Sequence, residues 1–128
     1  MPRNMSFMLT TQQIRDRTKT VTRRLKWTHV KPGDILNACV KCQGIKKGEK
    51  VQRLCQIRVT DVRREALDKI DDTTDIPWSY AITEVTKEGF PSMSGCEFVT
   101  MFCENMKCDS STEVTRIEFV YVKDGETC

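Results

Sequence analysis

The sequence predicts a single α+β domain in which mostly antiparallel strands form a small barrel and helices pack at its periphery. Three observations support this prediction: short alternating apolar stretches are separated by turn signals, two helix starts lie in the second half, and 38% of the 128 residues are hydrophobic. A chain of this length suits one core, so we expect one domain over residues 1–128, with its core at about 6–122. Closing the sheet is one way to remove its exposed edges.

The first 25 residues predict a strand, a helix and a second strand. Residues 6–9 form the first strand, and Thr10 or Thr11 then caps a helix that continues to Thr18. Residues 21–25 return to β character.

The next part of the chain predicts two strands on either side of a basic loop. The KPGD sequence at 31–34 is typical of a tight turn, because proline presets φ and glycine accepts a positive φ. A half-buried strand at 35–40 follows it. Residues 44–50 (GIKKGEK) then form the loop, and the clear alternation at 54–62 predicts a long central strand.

The second half predicts two helices and a closing strand. A helix over 75–88 begins at Asp-Ile-Pro-Trp and ends before Gly89, which fits the preferences of helix ends. Ser94 and Glu97 form a capping-box pattern at the start of the next helix. Residues 114–122 form the last strand.

Charge is divided unevenly along the chain. Residues 1–64 contain 16 Lys/Arg and 4 Asp/Glu, whereas residues 65–128 contain 5 and 14. Clustered cations attract phosphates, so this division favours a polyanionic partner. The alternative is that the two halves neutralise each other in the folded protein.

The cysteine content and the hydropathy of the chain indicate the cellular compartment in which the protein works. The seven cysteines are odd in number, no secretory signal starts the chain, and no run of about 18 apolar residues is present. We therefore expect a cytoplasmic protein with reduced thiols and no membrane association.

Three stretches together resemble the ASCH family, a branch of the PUA-like barrels, over roughly residues 6–122. The most specific of them is DRTKTVTRR at 16–24, a helix end that runs into a strand. The others are VKPGDIL at 30–36 and CQIRVTDV at 55–62. The later stretches EGFP at 88–91, EFV at 97–99 and VTRIEF at 114–119 further resemble phage- and prophage-encoded members, which would place the protein in a host cytoplasm.

The resemblance implies a barrel with a cleft for RNA or a modified nucleoside, and no cofactor. The enzymatic members of the family are amidohydrolases that remove the acetyl group from N4-acetylcytidine with a Lys, a Thr and a Glu. The Lys and Thr correspond to Lys19 and Thr22. Glu97 matches the Glu best by its place before the last strand, with Glu84 and Glu88 as alternatives.

The residues themselves are compatible with this chemistry. Hydrolysis of an amide without a metal needs an activated nucleophile, and a lysine with a lowered pKa can take the proton of a threonine hydroxyl. Lys19 lies among four arginines, which lowers its pKa, and a carboxylate from Glu97 can orient it. Alternatively, Lys19 and Thr22 only contact phosphate and Glu97 only caps a helix.

Further residues are candidates for contact with nucleic acid. Strand alternation allows at most one of Arg23 and Arg24 to face the cleft, and Trp27 either stacks on a base or packs in the core. The predicted nucleic-acid contacts are Arg17, Arg23, Arg24, Lys26, Trp27, Lys46 and Lys47.

Four cysteines have spacings that permit a structural zinc site: Cys39, Cys42, Cys103 and Cys108. On a regular strand Cys39 and Cys42 point to opposite faces, so we expect no bound metal.

Three functions stay open at this point. The first is binding of nucleic acid or a modified nucleoside, with RNA favoured over DNA. The second is amide hydrolysis on acetylated cytidine. The third is that of a phage accessory protein which binds a host protein through the acidic half.

Overall fold

The computed structural model of the protein describes residues 3–40, 52–71 and 78–122. The predicted loop at 44–50 with Lys46 and Lys47 lies outside these ranges, as do Cys42 and the predicted cap Asp75. In chain order the elements are β1 (Arg3–Ser6), α1 (Thr11–Arg15), β2 (Val21–Arg24), β3 (Ile35–Cys39), β4 (Arg53–Ala66), α2 (Trp78–Lys87), α3 (Gly95–Met106) and β5 (Glu113–Tyr121). Short 3-10 helices, Met8–Thr10 and Leu67–Ile70, precede α1 and follow β4.

The five strands form one curled sheet in the order β1-β3-β4-β5-β2. β1 pairs with β3 in parallel, and the other three pairings are antiparallel. The predicted α+β class is confirmed, but the mostly antiparallel barrel is corrected to a mixed half-barrel with β1 and β2 at its edges. The parallel pair arises because the chain passes through α1 and β2 between β1 and β3, and only a crossover of this kind returns a strand in the same direction.

Helix α1 ends three residues earlier than predicted, at Arg15 rather than Thr18. Arg17 adopts a left-handed conformation with φ 60°, and the Thr18 N–H donates to the Gln13 carbonyl at 3.0 Å. The Arg17 N–H donates to the Ile14 carbonyl at 3.1 Å. This pair of hydrogen bonds is a Schellman motif, which terminates the helix and turns the chain into β2.

Gly89 holds the end of α2 against α1. Its φ is 105°, and a Cβ at this position would lie 2.7 Å from Gln13 Cγ. The Thr20 N–H donates to the Lys87 carbonyl at 2.8 Å. The start of β2 is therefore joined directly to the end of α2.

The capping box predicted at Ser94 and Glu97 is confirmed. The Ser94 hydroxyl accepts a hydrogen bond from the Glu97 N–H at 3.1 Å, and Glu97 Oε1 accepts one from the Ser94 N–H at 3.0 Å. Helix α3 therefore begins where the sequence indicates.

The described residues form two apolar clusters. One fills the curl of the sheet and includes Phe7, Ile57 and Phe119. The other lies between α2, α3 and the 3-10 helix that follows β4, and includes Val85 and Phe98. Within the described ranges, no helix is long and apolar enough to cross a membrane.

Candidate functional site

Lys19 is buried in the turn between α1 and β2 and pairs with Glu88. Its Nζ donates to Glu88 Oε1 and to the Glu88 carbonyl, both at 2.8 Å. Each of the two side chains is only 3% exposed. The contact forms because the Schellman motif and the docking of Gly89 bring the end of α1 and the end of α2 together.

Arg23 is held by three carboxylates. Its guanidinium contacts Glu65 Oε1 and Glu84 Oε1 at 2.6 Å and Glu88 Oε2 at 3.0 Å, and its side chain has no exposed surface. Arg23 was predicted as a possible nucleic-acid contact from strand alternation. In the structure its guanidinium is instead ion-paired with these carboxylates. Its Nε is nevertheless without a hydrogen-bond partner among the described residues.

The sheet register explains why so many carboxylates are needed. Arg23 on β2 lies directly opposite Arg116 on β5, and Arg116 lies opposite Arg63 on β4. Like charges opposite each other destabilise a sheet. Glu84 from α2 neutralises Arg116, the middle one of these three arginines, and Arg116 Nε donates to Glu84 Oε1 at 2.5 Å. The buried ionic network (Lys19, Arg23, Arg116, Glu65, Glu84 and Glu88) has three charges of each sign.

The network perturbs the pKa values of its members. Burial lowers the pKa of Lys19, and the charges of Arg24 and Arg23 lower it further, against the opposing effect of Glu88. The direction agrees with the sequence analysis, but burial outweighs the arginines as the cause. Burial alone would raise the pKa of Glu84, yet hydrogen bonds and charges from Arg116 and Arg23 lower it to about 2.

Thr22 lies beside Arg24 rather than beside the lysine nitrogen. Its hydroxyl oxygen accepts a hydrogen bond from Arg24 Nε at 3.0 Å, and the Arg24 guanidinium lies 4.7 Å from the centre of the Phe7 ring. Thr22 itself is 3% exposed. No hydrogen bond joins Thr22 to Lys19 in the part of the chain that the structure describes.

A cleft of about 310 Å³ opens at the β2 edge. Lys19, Thr22 and Glu88 line it together with Arg23 and Arg24. Alternation sends Thr22 and Arg23 to opposite faces of β2, so the cleft extends around the open edge of this strand.

The remaining walls of the cleft are mainly apolar. Residues 6–10 form one wall, and Phe90 with one face of α3 forms the other; that face consists of Phe98, Met101, Phe102, Asn105 and Met106. Met8, Leu9 and Met106 are exposed by 62%, 54% and 41%. The cleft therefore combines a polar floor with aromatic and methionine-rich walls.

Glu88, one of the two alternatives from the sequence, contacts Lys19, whereas Glu97 makes the contacts of the capping box. Glu97 is outside the set of cleft-lining residues. Glu84 reaches the site indirectly, through Arg23. The sequence signal for Glu88 was its place next to Gly89, at the end of a helix.

Among the residues that the structure describes, the other predicted nucleic-acid contacts, Arg17, Lys26 and Trp27, are outside the cleft lining. Arg17 is exposed and its guanidinium lies 5.3 Å from the Tyr121 ring centre, and Lys26 is exposed. Trp27 is half-buried; its ring stacks with that of His29 at 6.2 Å and contacts the Arg3 guanidinium at 4.5 Å. Trp27 also packs against the sheet core, in line with the second of its two predicted roles, while base stacking stays a prediction.

A second depression, of about 560 Å³, lies at the far end of the ionic network. It is lined by Arg63, Arg64, Glu65, Lys69 and Tyr80. Glu65 connects it to Arg23, and the Tyr80 hydroxyl donates to Glu65 Oε2 at 3.0 Å. Four of its five residues lie within positions 63–69 and Tyr80 comes from α2, yet the sequence alone did not indicate this basic surface.

The described residues contain no group of three or more His, Cys, Asp or Glu side chains placed to hold a metal ion. Cys39 is buried on β3, and Cys103 and Cys108 are half-buried at the end of α3.

The curled sheet and the peripheral helices give this chain a fold similar to that of a solved ASCH domain. Three solved structures share the likeness. An ASCH domain from Lactobacillus crispatus JV V101 matches with a TM-score of 0.55 and 11% identity, over 93% of this chain and 78% of that one. Protein EF3133 from Enterococcus faecalis V583, of family DUF984, matches with a TM-score of 0.61 and 15% identity, over 100% and 86%. Hypothetical protein PH0355 matches with a TM-score of 0.60 and 18% identity, over 95% and 100%.

Sequence comparisons give no further assignment. No protein-family model matches the chain. No curated protein matches it either. The likeness to the solved structures therefore concerns the fold.

Proposed function

We propose that the protein binds a nucleobase, as a free modified nucleoside or as part of single-stranded RNA, in the cleft at the β2 edge. The observation that carries the proposal is the combination of a polar floor with aromatic walls in a cleft of about 310 Å³. A base needs this combination, because its flat faces are apolar and its edge carries hydrogen-bonding groups.

The floor supplies both kinds of hydrogen-bonding group. Lys19 Nζ and the Arg24 guanidinium donate, and Glu88 accepts. The Thr22 hydroxyl already accepts from Arg24, so its own proton is available to a ligand. Groups fixed by the ionic network lose little entropy on binding, which favours affinity.

Exposed cations near the β2 strand favour a ligand that carries phosphates. Arg17 and Lys26 lie at the two ends of the segment that contains Lys19 and Thr22, and both are exposed. Phosphate contacts of this kind make binding depend on salt. A free nucleoside would bind without this dependence, so salt separates the two forms of ligand.

The test is calorimetric or fluorescence titration with cytidine, N4-acetylcytidine and a short single-stranded RNA. Thr22→Val and Lys19→Met remove one hydrogen-bonding group each, and we expect each to weaken binding roughly tenfold. Lys31→Met, at an exposed lysine of the 31–34 turn, is the matched control and retains affinity. Unchanged affinity in both cleft variants would refute the proposal.

Amide hydrolysis is the second candidate, and one observation favours it: Lys19, Thr22 and Glu88 line a single cleft and the pKa of Lys19 is lowered. For this reaction Lys19 must give up a proton and move from Glu88 to the Thr22 hydroxyl. It then accepts the Thr22 proton, and the hydroxyl oxygen attacks the acyl carbon. The C–N bond breaks, the amine leaves with a proton, and water hydrolyses the resulting ester. Glu88 would hold the lysine in place before this movement.

Turnover is tested by chromatography of N4-acetylcytidine after incubation with the protein. Release of cytidine and acetate that is lost in Thr22→Val but retained in part in Thr22→Ser supports hydrolysis. Binding without release supports the binding function alone. If neither occurs, the third function, a protein partner for the acidic half, is the one to pursue.

A further inference from the structure

Two cysteines occupy paired positions at the C-terminal end of α3. Lys107, the residue after the helix, has φ 54°, and the N–H groups of Lys107 and Cys108 both donate to the Cys103 carbonyl. The second of these bonds spans five residues and measures 3.3 Å. In helix ends of this type the side chains at the two ends of that bond frequently pack against each other. In this protein both side chains are thiols.

The Cys108 thiol affects the pKa of Cys103. Burial raises the pKa of Cys103 to about 11, and a hydrogen bond with the Cys108 thiol contributes in the same direction, as do the charges of Cys108 and Asp109. Both side chains pack at the edge of the cluster between α2 and α3 and are only half-buried. A small oxidant can therefore reach them.

We propose that Cys103 and Cys108 form a reversible intramolecular disulfide that fixes the end of α3. A helix end that already aligns two side chains needs little backbone movement to meet the geometry of a disulfide. In a reducing compartment such a bond is transient and responds to oxidant.

The oxidant is a small disulfide such as oxidised glutathione. One thiolate attacks it and expels one glutathione thiolate, which leaves a mixed disulfide on the protein. The other cysteine loses its proton, attacks the protein sulfur and expels the second glutathione. Because the thiolate of Cys103 is scarce at neutral pH, we assign the first attack to Cys108 and the second to Cys103.

The bond would act on the cleft through the residues that it encloses. Asn105 and Met106 lie between the two cysteines in the chain and line the cleft wall, with Met106 41% exposed at its rim. Fixing the end of α3 preorganises this wall, so the oxidised protein binds its ligand more tightly. This consequence rests on the proposed function, whereas the chemistry of the two thiols does not.

The chemistry is tested by peptide mapping of the whole protein after exposure to oxidised glutathione and alkylation of the remaining thiols. We expect a peptide pair joined between Cys103 and Cys108, lighter by two hydrogen atoms and restored by dithiothreitol. Cys96→Ser, on the same helix, is the matched control and retains the link. Cys103→Ser and Cys108→Ser both lose the link. Cys103→Ser retains a glutathione on Cys108, whereas Cys108→Ser acquires little, because the thiolate of its remaining Cys103 is scarce. Glutathione on both cysteines of the unaltered protein without a link overturns the proposal.

Two further measurements test two consequences of the bond, namely that it fixes the end of α3 and that it changes binding in the cleft. Amide hydrogen exchange over residues 104–109 should slow several-fold on oxidation, and unchanged exchange contradicts the fixing of α3. Titration with cytidine should show several-fold tighter binding to the oxidised protein. If cytidine binds equally to both forms, the cleft is not regulated by the bond; if it binds to neither, the proposed function fails while the peptide map still decides the disulfide.

Discussion

At the scale of single residues, the ion pair with Glu88 fixes the position of the Lys19 side chain. Glu88 gives one carboxylate oxygen to Lys19 and the other to Arg23. The lysine is therefore fixed by a group that is itself neutralised from a second side. Lys19 can therefore be replaced at a limited cost in stability, although the cleft loses its hydrogen-bonding group.

Lys19→Met tests this expectation. Removing one partner of a buried ion pair commonly costs about 3–5 kcal/mol, because the remaining charge is left uncompensated. Arg23 still compensates Glu88 in the variant, so we expect a smaller loss of about 1–3 kcal/mol in the free energy of unfolding. Chemical denaturation measures this loss, and Lys31→Met serves as its control. A variant that does not fold at all would contradict the compensation by Arg23.

Glu97→Gln tests the assignment of the carboxylate to Glu88. Glutamine also completes a capping box, so the helix start is retained. We expect the melting temperature and the affinity for cytidine to stay close to those of the unaltered protein. Glu88→Gln should instead weaken cytidine binding. The opposite ranking of the two variants would return the site to Glu97.

At the scale of elements, some local signals predicted the structure well, but the first strand lies at Arg3–Ser6 rather than at the predicted 6–9, where a 3-10 helix begins at Met8. The bounds of β2 and the capping box of α3 follow from residues within one turn or one strand, and both are as predicted to within a residue. The end of α1 was wrong, because Arg17 takes the left-handed conformation in which glycine is usual. β4 extends to Ala66, four residues beyond the predicted strand, because its partner β5 continues to pair with it.

Gly89→Ala tests the docking of α1 on α2. Alanine at φ 105° is strained by about 1–2 kcal/mol, and its Cβ would also lie 2.7 Å from Gln13 Cγ. Gly33→Ala, at φ 97° with no atom within 4 Å of the added Cβ, carries the strain alone and is the matched control. We expect Gly89→Ala to lower the free energy of unfolding by more than Gly33→Ala.

The double variant Gly89→Ala/Gln13→Ala completes this test. Because Gln13 supplies the atoms that the new Cβ would meet, its truncation should reduce the cost of Gly89→Ala toward that of Gly33→Ala. A cost that does not depend on Gln13 would show that strain, and not the contact between the helices, explains the glycine.

At the scale of the whole molecule, some of the cations of the basic half are neutralised inside the fold by carboxylates of the acidic half. Lys19 and Arg23 come from the basic half and meet Glu84 and Glu88 from the acidic half. The partners are 61 to 69 residues apart in the chain. The sequence indicated the lysine and the threonine through a local motif, but no local pattern indicates which carboxylate a strand 69 residues away will meet.

The buried ionic network also predicts how stability depends on pH. The pKa of Glu84 is lowered to about 2 from its ordinary 4.5, so the folded protein holds this carboxylate ionised more strongly than the unfolded chain does. The corresponding stability is fully present above about pH 4.5 and is lost as the pH falls towards 2, and it amounts to roughly 3 kcal/mol. Urea denaturation at several pH values between 7 and 2 should therefore show a fall in the free energy of unfolding over this window.

In Glu84→Gln this fall in the free energy of unfolding should be smaller by that amount. Glu104→Gln, at an exposed carboxylate on α3, should show the same fall as the unaltered protein. An identical pH dependence in Glu84→Gln and the unaltered protein would mean that Arg23 and Arg116 do not hold Glu84 in the way the geometry indicates.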